Sequence, residues 1–205
     1  MQYRYIKISE LNIDDISECV SKERVERAMK YKSPLDRKRS IGAEYLLREM
    51  LNERFGISFD SLTYDDKGKP HIYDKNGKDV IHFSLSHSGE YAACIISDKP
   101  CGIDIEIHSD KRDYEKIAKR ICTQDELSLI NSREEFYKYW TLKESVLKAL
   151  GLGLQFDMRS VKIEPLDKFG KDYVATADGY SYSGGVILAP SGYSLTYVEL
   201  SSEKE

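Results

Sequence analysis

The segment "GIDIEIH" sets Asp104 and Glu106 two residues apart inside a β-branched run. Successive strand side chains alternate between faces, so Ile103, Ile105 and Ile107 share one side while the two acids project together from the other. Two carboxylates at that spacing repel, and a hard cation such as Mg²⁺ between them and a phosphate ligand relieves the repulsion. The competing reading is an antiparallel strand whose acids face water. A second constellation stands in "WTLKESVLKALGLGL", where Trp140, Lys143, Glu144 and Leu147 occupy roughly one third of a helix circumference and Lys148 lies at the margin. Glu144 could complete a set of three carboxylate ligands with Asp104 and Glu106, and the lysines could meet phosphate oxygens. Alternatively Trp140 and Leu147 pack inward and Glu144 pairs with Lys148 at i, i+4.

The third stretch, "FSLSHSGEYAA", gathers Ser84, Ser86, His87 and Ser88 beside a glycine. No G-x-S-x-G elbow is present, and adjacency does not make a Ser-His-Asp triad. Hydroxyls and an imidazole before a tight turn suit phosphate contacts, or simply local side-chain to backbone bonds. In "DRKRS" the cations Arg37, Lys38 and Arg39 precede Ser40 at a helix start, where free N-H groups would make Arg39 and Ser40 anion contacts, and "KGKPH" places Lys69 in a turn.

The elements that must carry these residues follow from periodicity. "SPLDRKRSIGAEYLLREMLNERFG" reads as a helix with Ser33 or Asp36 as cap and Gly56 as stop. "IHFSLSHSGEYAACIIS" reads as a hairpin broken at Ser88 and Gly89. From Glu134 a second helix, a glycine stop, a polar stretch and a last strand "PSGYSLTYVEL" repeat that order. "GISFDSLTY" echoes "GLQFDMRSV" and "SGEYAACII" echoes "SGYSLTYV" about one hundred residues apart, which suggests duplication. The expected fold class is therefore α+β, two similar α/β halves in pseudo-twofold relation, each a helix packed on a small, mainly antiparallel sheet. The active site is expected at their junction, with residues 1–100 forming the N-terminal half and 101–205 the C-terminal half.

With 205 residues, 40% hydrophobic and 32% charged, the chain can build a core and is not of disordered composition. Lys and Arg number 31 against 35 Asp and Glu, so a net charge of -4 gives no general affinity for nucleic acid. The start "MQYRYIKISEL" has no apolar leader and no run reaches membrane-spanning length, so a cytoplasmic protein without a membrane partner is expected. Cys19, Cys94, Cys101 and Cys122 form no CxxC pair and read as reduced, mostly buried thiols.

Together these stretches resemble the 4'-phosphopantetheinyl transferases, in particular the longer two-lobed type that serves surfactin synthetase. "FSLSHS" stands for the family's F-N-I-S-H-S, "GIDIE" for G-I-D-x-E, and "WTLKESVLKALGLGL" for W-x-x-K-E-[AS]-x-x-K-x-x-G-x-G-L, with "RKRSIGAEYLLR" and "KGKPHI" in support. The likeness runs from Arg24 to Phe156. It departs at Ser84 and Leu85, where the family keeps Asn and Ile. The resemblance implies Mg²⁺ ligands Asp104, Glu106 and Glu144, with Lys148 on the pyrophosphate and Lys143 near the active site. It implies that Ser86 and His87 hold the nucleotide end of coenzyme A, with Arg39, Ser40 and Lys69 around its phosphates and adenine, and with Arg24 and Arg27 as further basic contacts. Glu126 in "TQDELSL" matches an acid the family keeps, its role open. On this resemblance the N-terminal half binds the coenzyme A nucleotide, and the C-terminal half carries the acids and the catalytic helix. The implied reaction moves 4'-phosphopantetheine from coenzyme A to a serine of an acyl or peptidyl carrier protein, releasing adenosine 3',5'-bisphosphate. Glu144 would accept the serine proton, directly or through metal-bound water, and the enzyme would act as a monomer. The alternatives are a Mg²⁺-dependent hydrolase of coenzyme A or a nucleotide, and a non-catalytic coenzyme A or carrier-protein binding module.

Overall fold

The computed structural model describes residues 1–56, 63–64, 70–73, 79–151, 156–167 and 170–203. The chain divides into two units, Met1–Asp98 and Lys99–Glu205. Elements of the first are β1 (Gln2–Lys7), α1 (Ile13–Ser17), α2 (Lys22–Met29), α3 (Pro34–Phe55), β2 (Thr63–Tyr64), β3 (Pro70–His71), β4 (His82–Ser88) and β5 (Tyr91–Ser97). Those of the second are β6 (Cys101–Ile107), α4 (Tyr114–Ile121), α5 (Gln124–Leu129), α6 (Arg133–Leu150), β7 (Lys162–Pro165), β8 (Asp172–Ala177), β9 (Tyr180–Val186) and β10 (Tyr193–Glu203).

In the first unit Ser33 caps α3, its hydroxyl accepting from the Asp36 amide at 3.4 Å, and Pro34 supplies a preset φ where no N-H is needed. The helix stops at Gly56, whose φ of 63° only glycine adopts without strain. Arg39 and Ser40 consequently lie in the second turn, where backbone N-H groups belong to the helical ladder. The expectation of free N-H groups there is corrected: these amides are spent inside the helix. α3 packs on β4 and β5 of an antiparallel sheet ordered β1-β5-β4, burying Leu46, Leu47, Met50 and Leu51 against Phe83, Cys94 and Ile96. β4 and β5 join through Gly89, at φ 55°, as the hairpin signal predicts.

The second unit is an antiparallel sheet ordered β6-β10-β9-β8-β7 with α6 across it. Ser132 caps α6 by accepting from the Glu135 amide at 3.2 Å, and Gly151 ends it at φ 70°. Phe136, Leu142, Val146 and Leu147 are sealed against Val161, Ile163, Tyr173, Ala175 and Tyr182. Each such side chain contributes roughly 1.5–3 kcal/mol on burial. α6 is covered on most sides, so even Ser145 and Lys143 are buried. Both units thus set a long glycine-terminated helix on an antiparallel sheet, the α+β class expected. The echo "SGEYAACII" and "SGYSLTYV" falls on matching turns into β5 and β10, where Gly89 and Gly192 both have positive φ. The sheets differ in size, three strands against five. The other echo includes residues 57–62 and 153–155, outside the described residues. Of the cysteines, Cys94, Cys101 and Cys122 are buried and Cys19 is exposed. No helix among the described residues is long and apolar enough to cross a membrane.

Candidate active site

Gly102 explains how α6 comes to lie over the acids. A Cβ built there would stand 1.8 Å from the carbonyl oxygen of Ser145 and 3.1 Å from the Ala149 nitrogen, so only glycine lets the helix backbone approach. Gly102, Asp104 and Glu106 alternate onto the same face of β6, which turns both acids toward α6 and the isoleucines away from it. Ser145 Oγ donates to the Thr196 carbonyl at 3.2 Å, and Thr196 is the register partner of Asp104 on β10, which fixes the axial position of α6. Asp104 is only 5% exposed, so the reading of acids that face water is set aside for it.

At this close approach Lys148 Nζ donates to Asp104 Oδ1 at 2.7 Å and to the Ile103 carbonyl at 3.1 Å. The alternative reading, an i, i+4 ion pair between Glu144 and Lys148, gives way to this cross-element pair. Glu144 Oε1 is buried without a hydrogen-bond partner. Burial chiefly, then the negative charges of Asp104 and Glu106, push the Glu144 carboxyl up to about 7 against the opposing pull of Lys148. Glu106 is partly exposed, with the Arg112 guanidinium 3.9 Å away. Arg112 also lies over the ring of Trp140, 5.9 Å from its centroid. Trp140 is half-buried and packs on Phe136 at 5.8 Å between ring centres.

Among the described residues no three His, Cys, Asp or Glu side chains stand gathered in ready metal-binding geometry. The donor chemistry nevertheless fits a hard divalent cation: the acids of β6 and α6 supply only oxygens, and one buried Glu144 oxygen is orphaned.

Lys143 falls elsewhere. Its ammonium is fully buried and donates to Glu126 Oε1 at 2.9 Å, to the Met158 carbonyl at 3.1 Å and to the Val161 carbonyl. All three donors are spent inside the core, so the expectation of a cofactor-binding Lys143 is corrected: its place on the helix, one residue before Glu144, turns it to another side. Glu126 also accepts from the Thr123 amide at 2.7 Å and the Ile163 amide at 2.9 Å. Glu126 and Lys143 therefore tie α5, α6 and the start of β7 together. The capping box in "TQDE" is a local signal for Glu126 as the cap of α5; its pairing with Lys143 has no such signal.

In the first unit Arg39 Nε donates to the Gly89 carbonyl at 2.5 Å, bringing α3 to the β4-β5 turn. Its neighbour Ser40 is buried and receives Arg24 NH1 at 3.4 Å. Arg27 is exposed on the last turn of α2. His87 shares the α3-facing side of β4 with Phe83 and Leu85, and Ser86 lies on the opposite side with Ser84. Arg24, Arg39, Ser40 and the hairpin turn are thus brought together, whereas Ser86 and His87 are parted by the strand between them. Lys69 lies outside the described residues. A residue that sequence reasoning missed is Glu44, buried on α3 between Arg24 and Arg48. Its signal is an acid within the apolar stripe of α3, four residues before an arginine.

Two family models match the chain. Residues 8–99 match "4'-phosphopantetheinyl transferase, N-terminal" and residues 100–198 match "4'-phosphopantetheinyl transferase superfamily". The chain is 34% identical over 158 residues to the 4'-phosphopantetheinyl transferase gsp of Aneurinibacillus migulanus, covering 73% of this chain and 63% of the relative. It is 30% identical to the 4'-phosphopantetheinyl transferase HetI of a Nostoc species, covering 71% and 65%. It is 29% identical to the 4'-phosphopantetheinyl transferase Sfp of Bacillus subtilis, covering 79% and 73%. The chain spans just under two thirds of the length of the first two relatives.

Proposed function

Because the chain belongs to the 4'-phosphopantetheinyl transferase superfamily, we propose that it transfers 4'-phosphopantetheine from coenzyme A to a serine hydroxyl of an acyl or peptidyl carrier protein. The observation that carries this reading is the bond between Lys148 and Asp104 at 2.7 Å beside the buried, partnerless oxygen of Glu144, all on motif residues. Asp104, Glu106 and Glu144 would hold Mg²⁺, which when bound supplies neutralisation of diphosphate charge. Lys148, bonded to Asp104 at 2.7 Å on the acid face, would meet a diphosphate oxygen.

In the reaction the carrier serine oxygen bonds to the β-phosphorus of coenzyme A. The bond from that phosphorus to the bridging oxygen breaks, and adenosine 3',5'-bisphosphate leaves with the electron pair. The serine proton would go to Glu144, the half-buried acid that α6 sets among Asp104, Glu106 and Lys148. Positioning and charge neutralisation carry most of the rate, since phosphoryl transfer asks little covalent chemistry of the protein. In this proposal the N-terminal unit supplies the coenzyme A contacts Arg24, Arg27, Arg39, Lys69, Ser86 and His87, with the proposed Ser40 buried and acting through Arg24. The C-terminal unit supplies the acids and Lys148, with Lys143 as internal support. The protein is expected to act as a cytoplasmic monomer.

The test is intact mass spectrometry of an apo carrier protein incubated with this protein, coenzyme A and Mg²⁺, beside an EDTA control. A metal-dependent gain of one phosphopantetheine on the carrier serine is expected. No gain on carriers from fatty acid, polyketide and nonribosomal peptide systems overturns the reading.

A further inference from the structure

A carboxylate inside the apolar packing of α3 calls for an explanation. Glu44 has no exposed side-chain surface, and four donors converge on it. The Ser21 amide donates to Oε1 at 2.7 Å and the Ser21 hydroxyl to Oε2 at 3.1 Å. Arg24 Nε donates to Oε2 at 2.9 Å and Arg48 Nε to Oε1 at 3.1 Å. Burial alone would raise its carboxyl, but the bonds from Ser21 and Arg24 outweigh burial and hold it below the ordinary range. Glu44 is therefore an anion kept ionised inside the unit, and the cations around it are kept in fixed places.

What those bonds fix is the plane of a guanidinium. Arg24 gives Nε to Glu44 and NH1 to Ser40, so two points of the rigid fork are held, one on an ionised carboxylate and one on a buried hydroxyl. Ser21, itself bound by Glu44, is the N-cap of α2 and accepts from the Arg24 amide at 3.1 Å. One carboxylate thus sets both the start of the helix that bears Arg24 and the aim of its side chain. The neighbour of Ser40, Arg39, reaches the β4-β5 turn, so the arrangement is continuous with the other residues proposed for coenzyme A.

We propose that Glu44 is a positioning residue for coenzyme A, holding Arg24 in the orientation in which it meets the phosphates of the nucleotide. This rests on the transferase reading above. Glu44 does not touch the ligand; it acts through Arg24.

The experiment combines isothermal titration with coenzyme A and steady-state kinetics on the full chain carrying Glu44→Gln, Arg24→Gln and both changes. The glutamine keeps the shape and loses the charge. Losing one charge-assisted bond should weaken coenzyme A binding about tenfold. The KM for coenzyme A should rise by the same factor, with kcat at saturating coenzyme A and the KM for the carrier unchanged. Arg24→Gln should weaken binding similarly in the wild-type background and add little in the Glu44→Gln background, because the two act as a unit. Additive losses, or a Glu44→Gln protein that binds coenzyme A as wild type does, overturn the proposal and leave the transferase reading standing. A wild-type chain that does not bind coenzyme A overturns both. If Glu44→Gln does not fold, Arg24→Lys reads the same point: lysine keeps the charge but cannot hold Glu44 and Ser40 at two points of one plane. It is expected to lose affinity comparably, and wild-type affinity in that variant overturns the proposal.

Discussion

Gly102→Ala is expected to lower both the stability of this protein and its rate. The new Cβ would lie 1.8 Å from the Ser145 carbonyl oxygen and 2.7 Å from its carbon, both α6 backbone atoms that cannot rotate aside. α6 and β6 must separate by more than about an ångström before the contact is tolerable. Overpacking typically costs about 1–3 kcal/mol, and a clash with helix backbone belongs at the upper end. A loss of about 3 kcal/mol lowers the melting temperature of a unit of this size by roughly 13 °C. The same displacement pulls Lys148 from Asp104, a bond of 2.7 Å that joins the elements forced apart. A misplacement of about an ångström in a catalytic group costs on the order of a hundredfold in rate. Thermal melts and the initial rate of carrier modification read the two effects. Gly192→Ala is the control: its φ of 80° makes alanine strained, but nothing lies within 4 Å of the added carbon. It should cost about 1 kcal/mol and leave the rate alone. A Gly102→Ala protein that melts within about 2 °C of wild type and modifies carriers normally would refute the argument that glycine is what admits α6 to the acid face.

Asp104→Asn should abolish carrier modification, read by intact mass, while far-UV circular dichroism and melting stay near wild type, since the amide keeps the volume; residual turnover above about one per cent would remove Asp104 from the reaction. Lys143→Met leaves Glu126 buried without its ammonium and should cost roughly 3–5 kcal/mol in urea unfolding, and a stable variant would show the pair to be dispensable. Glu44 has a folded carboxyl below its unfolded value, so the stability it contributes is present above pH 4.5 and is lost as pH falls through the lower, folded value. Glu44→Gln should accordingly flatten the acid limb of a pH-stability curve, and an unchanged acid limb would count against an ionised Glu44.

Local rules written in the chain decided the punctuation of this fold. Ser33, Pro34 and Gly56 bound α3, Ser132 and Gly151 bound α6, and Gly89 turns the β4-β5 hairpin, because capping and positive φ depend only on neighbouring residues. The same locality makes Asp104 and Glu106 share a face. One local signal went unread: Asp178 and Gly179, at φ 50° and 82°, form the two-residue turn between β8 and β9 that a D-G pair favours. What no local rule could decide is which lysine of α6 faces the acids. Lys143 and Lys148 read alike in the sequence, yet Lys143 closes a core network with Glu126 while Lys148 bonds Asp104. The choice depends on which sides of α6 the sheet and the α5 segment cover, and on Gly102 admitting the helix at all. Periodicity marks Glu44 as an acid in the apolar stripe of α3, but it cannot show that Ser21 and Arg24, from α2 and its cap, hold it ionised there. Burial of a charge is set by partners brought from a distance, and those exist only once the chain has folded.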